Sequence, residues 1–169
     1  MKRIAIAVLA TLTLVGGAQA AVKHSKTVTK TVVAHAAPKL NFIYSKPDAF
    51  IATGVVVPAG WETFYVSGIP SNVVGGTEAQ TTDVLTKLGE VLKAQGYGFG
   101  DVVNVKVYLV GDTAKDGKLD FVGMNTAFKK VFGPADQPNR PSRVTVQVAG
   151  LALPGALVEI ELTAAKAPK

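Results

Sequence analysis

The chain has 169 residues, no cysteine and a formal net charge of +6. That length argues for one domain, and the missing cysteines exclude disulfides, thiolate metal ligands and a thiol nucleophile. Six of the eighteen Lys and Arg residues (Lys2, Arg3, Lys23, Lys26, Lys30, Lys39) precede Asn41, and the other twelve balance all twelve acids, so the remainder is neutral and lacks the electrostatic footprint of a nucleic-acid binder.

Residues 1–20 read as a secretory signal peptide. Lys2-Arg3 is a charged start, Ile4–Val15 a short apolar run, and Ala18-Gln19-Ala20 an A-x-A site with cleavage after Ala20. The expected location is the periplasm or outside the cell. The apolar run is too short to span a bilayer, and no later stretch approaches the roughly 20 residues a membrane helix needs, so no membrane association is expected once the leader is gone. Residues 21–40 form a basic tail of low complexity, rich in Lys, Thr, Val and Ala. Both histidines, His24 and His35, fall there without an acid or thiol to complete a metal site. The folded part, residues 41–166, therefore has no histidine and cannot hold a Ser-His-Asp triad.

Asn41–Val57 reads as an irregular entry and a first strand, broken by Pro47 and closed by Pro58. Glu62–Val66 is a second strand, ended by Ser67-Gly68-Ile69-Pro70, and the two look like a hairpin. Thr77 and Gln80 fit a capping box. Val84, Leu85, Leu88, Val91 and Leu92 give the apolar stripe of a long helix, Glu78–Gln95, that Gly96 stops. Val102–Val110 alternates cleanly and is the clearest strand. Asp120 caps a second helix whose buried face is Phe121, Met124, Phe128, Val131 and Phe132, with Asn125 off that stripe. Gly133–Pro141 is a rigid loop.

Two further alternating runs close the chain. Arg143, Thr145 and Gln147 oppose Val144, Val146 and Val148; Glu159 and Glu161 oppose Val158, Ile160 and Leu162. Each reads as a half-buried strand with its aliphatic residues inward. Pro154-Gly155 marks the turn between them. A cation that can bind a carboxylate, Arg143, and a carboxylate that can handle a proton or a water, Glu159, are then carried on rigid strands. The same pattern also fits a salt bridge, or two solvated charges on an open sheet face. The element order strand, strand, helix, strand, helix, strand, strand predicts an α+β fold: a mixed sheet with two helices on one side. The polar parity of the last two strands is expected on the uncovered face, which is mild enough to meet another subunit.

The run Pro141-Ser142-Arg143-Val144-Thr145-Val146, with Ala149, Leu151 and Val158-Glu159-Ile160, resembles the C-terminal signature of the Rid proteins, the reactive intermediate deaminases also called YjgF-like or L-PSP proteins. The likeness extends to Val66–Pro70, the long helix, Val102–Val110 and Met124–Phe128. It implies a chorismate-mutase-like (YjgF-type) fold assembled as a homotrimer, with clefts between subunits. It also implies hydrolysis of enamine and imine intermediates of amino acid breakdown to 2-keto acids and ammonia, without cofactor or metal. By that resemblance Arg143 grips the substrate carboxylate and Glu159 positions the attacking water. Ser67, Gly68, Asn125 and Thr145 line the cleft. Thr145 stands where the deaminases often have cysteine, Gly54 aligns where many carry an aromatic, and Ile69 follows Ser67-Gly68 where a polar residue is common. A non-catalytic trimeric binder of small carboxylates and an endoribonuclease are the alternative readings. The catalytic reading requires Arg143 and Glu159 to face one shared pocket at a subunit boundary; on opposite sides of the sheet, with no cavity between them, they leave only the architecture.

Overall fold

Alternating apolar positions at Val105, Val107 and Leu109 and at Val158, Ile160 and Leu162, all at most 3% exposed, build the middle of the protein. In the computed structural model, which describes residues 37–168, the strands are β1 (Asn41–Ile43), β2 (Gly54–Val56), β3 (Glu62–Pro70), β4 (Val102–Val110), β5 (Ser142–Val148) and β6 (Val158–Lys166). Helix α1 spans Thr77–Ala94 and helix α2 spans Phe121–Val131. The expected leader, most of the basic tail and both histidines lie outside the described residues. Among those described, no helix is long and apolar enough to cross a membrane.

The main sheet has the order β3-β6-β4-β5. Strands β4 and β5 are parallel, and β6 runs antiparallel to both its neighbours. Thus α1 carries the chain from β3 to β4 and α2 from β4 to β5, each as a crossover between parallel strands, with β6 inserted between β3 and β4. Both helices lie on one face. Leu85, Leu88 and Leu92 of α1 and Met124 and Phe128 of α2 form one core with Val66, Val105, Val107, Leu109, Val158, Ile160 and Leu162. The expected α+β architecture, with two helices on one side of a mixed sheet, is the one observed.

Four local expectations are corrected. The first two strands are not a hairpin: β2 pairs with β1 in a separate ribbon, and β3 pairs with β6. Pro58 breaks the chain between them, and nine-residue β3 buries more by lying on the sheet than it could on a three-residue strand. No capping box forms at α1. The N-cap is Gly76, without a side-chain cap bond. Gln80 is used elsewhere: its amide donates to Val73 O and Gly155 O (3.0 Å for the latter), and its Oε1 accepts from Leu157 N at 2.7 Å. These bonds satisfy backbone groups of two loops that pack against the helix. Phe121 is 42% exposed rather than core, because it is the first residue of α2, directly after the Asp120 cap that accepts from Gly123 N at 3.0 Å.

The fourth concerns strand β5, which carries Arg143. On β5 the polar parity, not the aliphatic one, faces the helices. Arg143 is in register with Val105, and Thr145 with Val107, both core positions of β4. Val144 and Val146 lie on the other face and are 47% and 40% exposed. On β6 the expectation holds: Val158, Ile160 and Leu162 are inward, and Glu159 and Glu161 are on the open face. Strand β5 is the sheet edge, so its helix-side residues meet the flank of α2 rather than the centre of the core.

Candidate functional site

Arg143 enters beneath the side of α2. Its Nη2 donates to Asn125 Oδ1 at 2.9 Å, and Nη1 lies 3.7 Å from Met124 Sδ. Its guanidinium is 4.4 Å from the ring centroid of Phe128, 5.6 Å from that of Phe50 and 5.7 Å from that of Phe121. These are cation–π distances. No carboxylate pairs with it among the described residues; the four ion pairs there are Lys46–Asp48, Lys87–Asp83, Lys106–Glu161 and Lys130–Glu78. Burial alone pulls the guanidinium down to about 10, where it is still protonated at neutral pH. A desolvated cation with aromatic walls and no counter-charge is the environment in which an incoming carboxylate gains most, because it supplies the missing anion and a bidentate acceptor. Thr145, two residues along the same face, has a buried Oγ1 with no hydrogen-bond partner.

Glu159 belongs to a different group. It is opposite Tyr108 on β4 and Pro70 on β3, on the face without helices. The β3–β6 pairing slips between Val66 and Ile69, so Ser67 and Gly68 form a bulge on the edge strand. The Glu159 carboxylate lies against that bulge: a Cβ at residue 68 would overlap Oε1. Glycine here is a matter of space. A cavity of about 320 Å³ opens beside it on the same face, lined by Tyr65, Ser67, Asn104, Lys106, Glu161 and Thr163, with an ion pair between Lys106 and Glu161.

The six residues named from the sequence therefore form two groups: Arg143, Asn125 and Thr145 on the helix side of β5, and Glu159, Ser67 and Gly68 on the open side of β6 and β3. Within one chain Arg143 and Glu159 do not face one pocket. Two residues in register across a sheet share a face, and the partners of Arg143 and of Glu159 on β4, Val105 and Tyr108, are of opposite parity. The sequence reading missed Phe50 and Phe121 as walls of the Arg143 site. Phe128 and Phe121 fitted the helical stripe, and nothing in the irregular entry segment marks Phe50 as a neighbour of Arg143. Gly54, where an aromatic was expected, has open space where its side chain would be. Among the described residues no group of three metal-ligating acids or histidines occurs.

The family model Endoribonuclease L-PSP matches residues 50–166. The 2-iminobutanoate/2-iminopropanoate deaminase of Rattus norvegicus is 39% identical over 113 residues, covering 63% of this chain and 74% of that protein. RutC family protein YoaB of Escherichia coli is 34% identical over 105 residues, covering 61% and 82%. Among solved structures, a Rid family protein of Yersinia pestis superposes with a TM-score of 0.55 at 26% identity, over 68% of this chain and 86% of its own. A YjgF family protein of Neisseria meningitidis gives 0.52 at 26% identity, over 78% and 98%. The matched region runs from Phe50, at the Arg143 site, to Lys166 at the end of β6, and so takes in the whole main sheet, both helices and both groups of candidate residues. The chain belongs to the Rid (YjgF-like, L-PSP) family.

Proposed function

We propose that this protein is an exported imine deaminase that converts reactive 2-imino acids to 2-keto acids and ammonia, with each reaction centre completed by two copies of the chain. The observation that carries the reading is Arg143: a half-buried guanidinium walled by three phenylalanines, with Asn125 as its hydrogen-bonding anchor and, among the described residues, no acid paired with it. Arg143 holds the substrate carboxylate. A protonated imine is already electrophilic, so the protein need only fix it and bring one water in line. Water adds to the C=N carbon, and Glu159 takes a proton from it. Glu159 then returns that proton to the nitrogen of the tetrahedral adduct and takes the proton of its hydroxyl as the C–N bond breaks and the carbonyl forms; that proton passes to the departing ammonia, which leaves as ammonium and frees the carboxylate. The named activity of the rat and other mammalian relatives supports this substrate class.

The opposite placement of Arg143 and Glu159 rules out a centre within one copy, so the reading stands only if assembly brings the two groups together. A ring of copies, a homotrimer by the family pattern, can set the open face of one chain against the Arg143 edge of the next. Exposed Val144 and Val146 and Tyr65, 77% exposed, give that open face an apolar surface to bury. Neither a cofactor nor a membrane is needed, and the leader over residues 1–20 directs the chain to the periplasm or outside. The ribonuclease reading has less support, since the folded part is neutral and lacks a histidine.

Mixing tests the shared site. Arg143→Ala and Glu159→Gln copies are each inactive in a coupled assay that generates imines with an amino acid oxidase. Co-refolded, they regain up to about a quarter of wild-type activity, because one interface in four receives both intact groups. If the mixture stays as inactive as its parents, the site is not shared.

A further inference from the structure

The wall of the Arg143 site contributed by Phe50 rests on a segment with almost no regular structure. Between β1 and β2 the chain makes one turn, Ala49 N to Lys46 O at 3.1 Å, one isolated bridge, Ala52 to Ser142, and one bond back to β1, Thr53 N to Ile43 O at 2.7 Å. Lys129 Nζ lies 5.6 Å from the Phe50 ring centroid, and the middle of the segment is held by Arg140. Its backbone N–H donates to Tyr44 Oη at 3.0 Å. Its Nη1 donates to Pro47 O at 3.2 Å and to Ala49 O. Its guanidinium stacks 4.2 Å above the Tyr44 ring. One residue on, Pro141 O accepts from Ala52 N at 3.0 Å. The segment is thus tied at residues 44, 47, 49, 52 and 53, and Phe50 projects between the ties at 49 and 52. Gly133 makes room: at φ +104° it adopts a conformation that L side chains rarely take, and its missing Cβ would sit 3.2 Å from Arg140 Cδ.

We propose that Arg140 is a positioning residue that, through Tyr44 and the carbonyls of Pro47 and Ala49, fixes Phe50 as the wall of the Arg143 carboxylate site. The inference rests on the reading of Arg143 as the carboxylate grip. Arg140 touches no substrate. It supplies donors to carbonyls that have no strand partner, and a cation to an aromatic face, so one side chain orders a segment that carries a wall of the site. Lysine can keep the charge and the donors but not the planar stacking on Tyr44.

The test measures binding of 2-oxobutanoate by calorimetry and kcat and KM with imines formed in situ. Arg140→Met weakens binding and raises KM by about 3- to 10-fold with kcat within about twofold. Phe50→Ala does the same, the double variant is no worse than Phe50→Ala, and Arg140→Lys recovers part of the loss. Wild-type affinity in Arg140→Met, or losses that multiply in the double variant, overturns the proposal. If Arg140→Met does not fold, Tyr44→Phe removes one tie only and carries the same comparison at about twofold. Arg143→Ala separates the two claims. If it binds 2-oxobutanoate like wild type, the carboxylate-grip reading fails; if it abolishes binding while Arg140→Met and Tyr44→Phe change nothing, only the positioning role fails.

Discussion

Replacing Arg143 with methionine separates function from fold, because the two respond in opposite directions. The substrate loses a charge-assisted, two-point contact in a partly desolvated site, which costs about 3 kcal/mol. At about 1.4 kcal/mol per factor of ten, kcat/KM falls roughly 100-fold. Stability moves the other way. A guanidinium held at about 10 by burial is charged at neutral pH at the protein's expense. Solvent at the open side of the site screens that cost to about 1 kcal/mol. Methionine removes it and still fills the space against Phe128 and Met124, leaving Asn125 Oδ1 to water. The melting temperature therefore stays level or rises by a few degrees. The sign with pH follows. The cost is present in full below the lowered pKa and fades as pH rises through about 10, so the variant's advantage is flat between about pH 6 and about pH 9. The coupled ammonia assay and a thermal melt on the same preparation decide. Activity within about threefold of wild type would refute the carboxylate grip, and lost activity with a lowered melting temperature would make Arg143 structural instead.

Gly68→Ala places a methyl group on Glu159 Oε1 and so moves the carboxylate; kcat drops at least about tenfold with KM nearly unchanged, read in the same assay. Val146→Asp puts a charge on the open face of the edge strand; light scattering detects smaller particles and activity is lost although Arg143 and Glu159 are intact. Monomers of that variant with full activity would contradict a site built between copies. Asp83 accepts from Ser71 Oγ at 2.7 Å and Lys87 Nζ at 2.6 Å; burial works against its carboxylate, but these bonds prevail and hold it below its usual value of 3.8. Asp83→Asn lowers stability by about 1 kcal/mol at neutral pH, and the gap to wild type closes as pH falls below about 3.8, measured by denaturant midpoints.

The elements that carry their own pattern were legible in the chain. The leucine stripe of α1, the Asp120 cap of α2 and the alternation of β4 and β6 each bury one face by themselves, so periodicity reports both type and orientation. The signature around Arg143 and Glu159 points to the family by sequence alone. Strand β5 shows the limit. Its alternation gives two faces, and choosing the valines as inward follows from apolarity alone. In the folded chain its helix-side residues lie at the rim, where Arg143 finds Asn125 and three phenylalanines, while Val144 and Val146 wait uncovered on the open face. Which parity turns inward depends on the register with β4, a contact across 38 positions of sequence between Val105 and Arg143. The strand partner of β3, the bonds of Gln80 and the tie between Arg140 and the segment before Phe50 are decided the same way. Local sequence fixes what a segment can form, but pairing and face are settled by burial against residues far along the chain, and those meet only when the sheet closes.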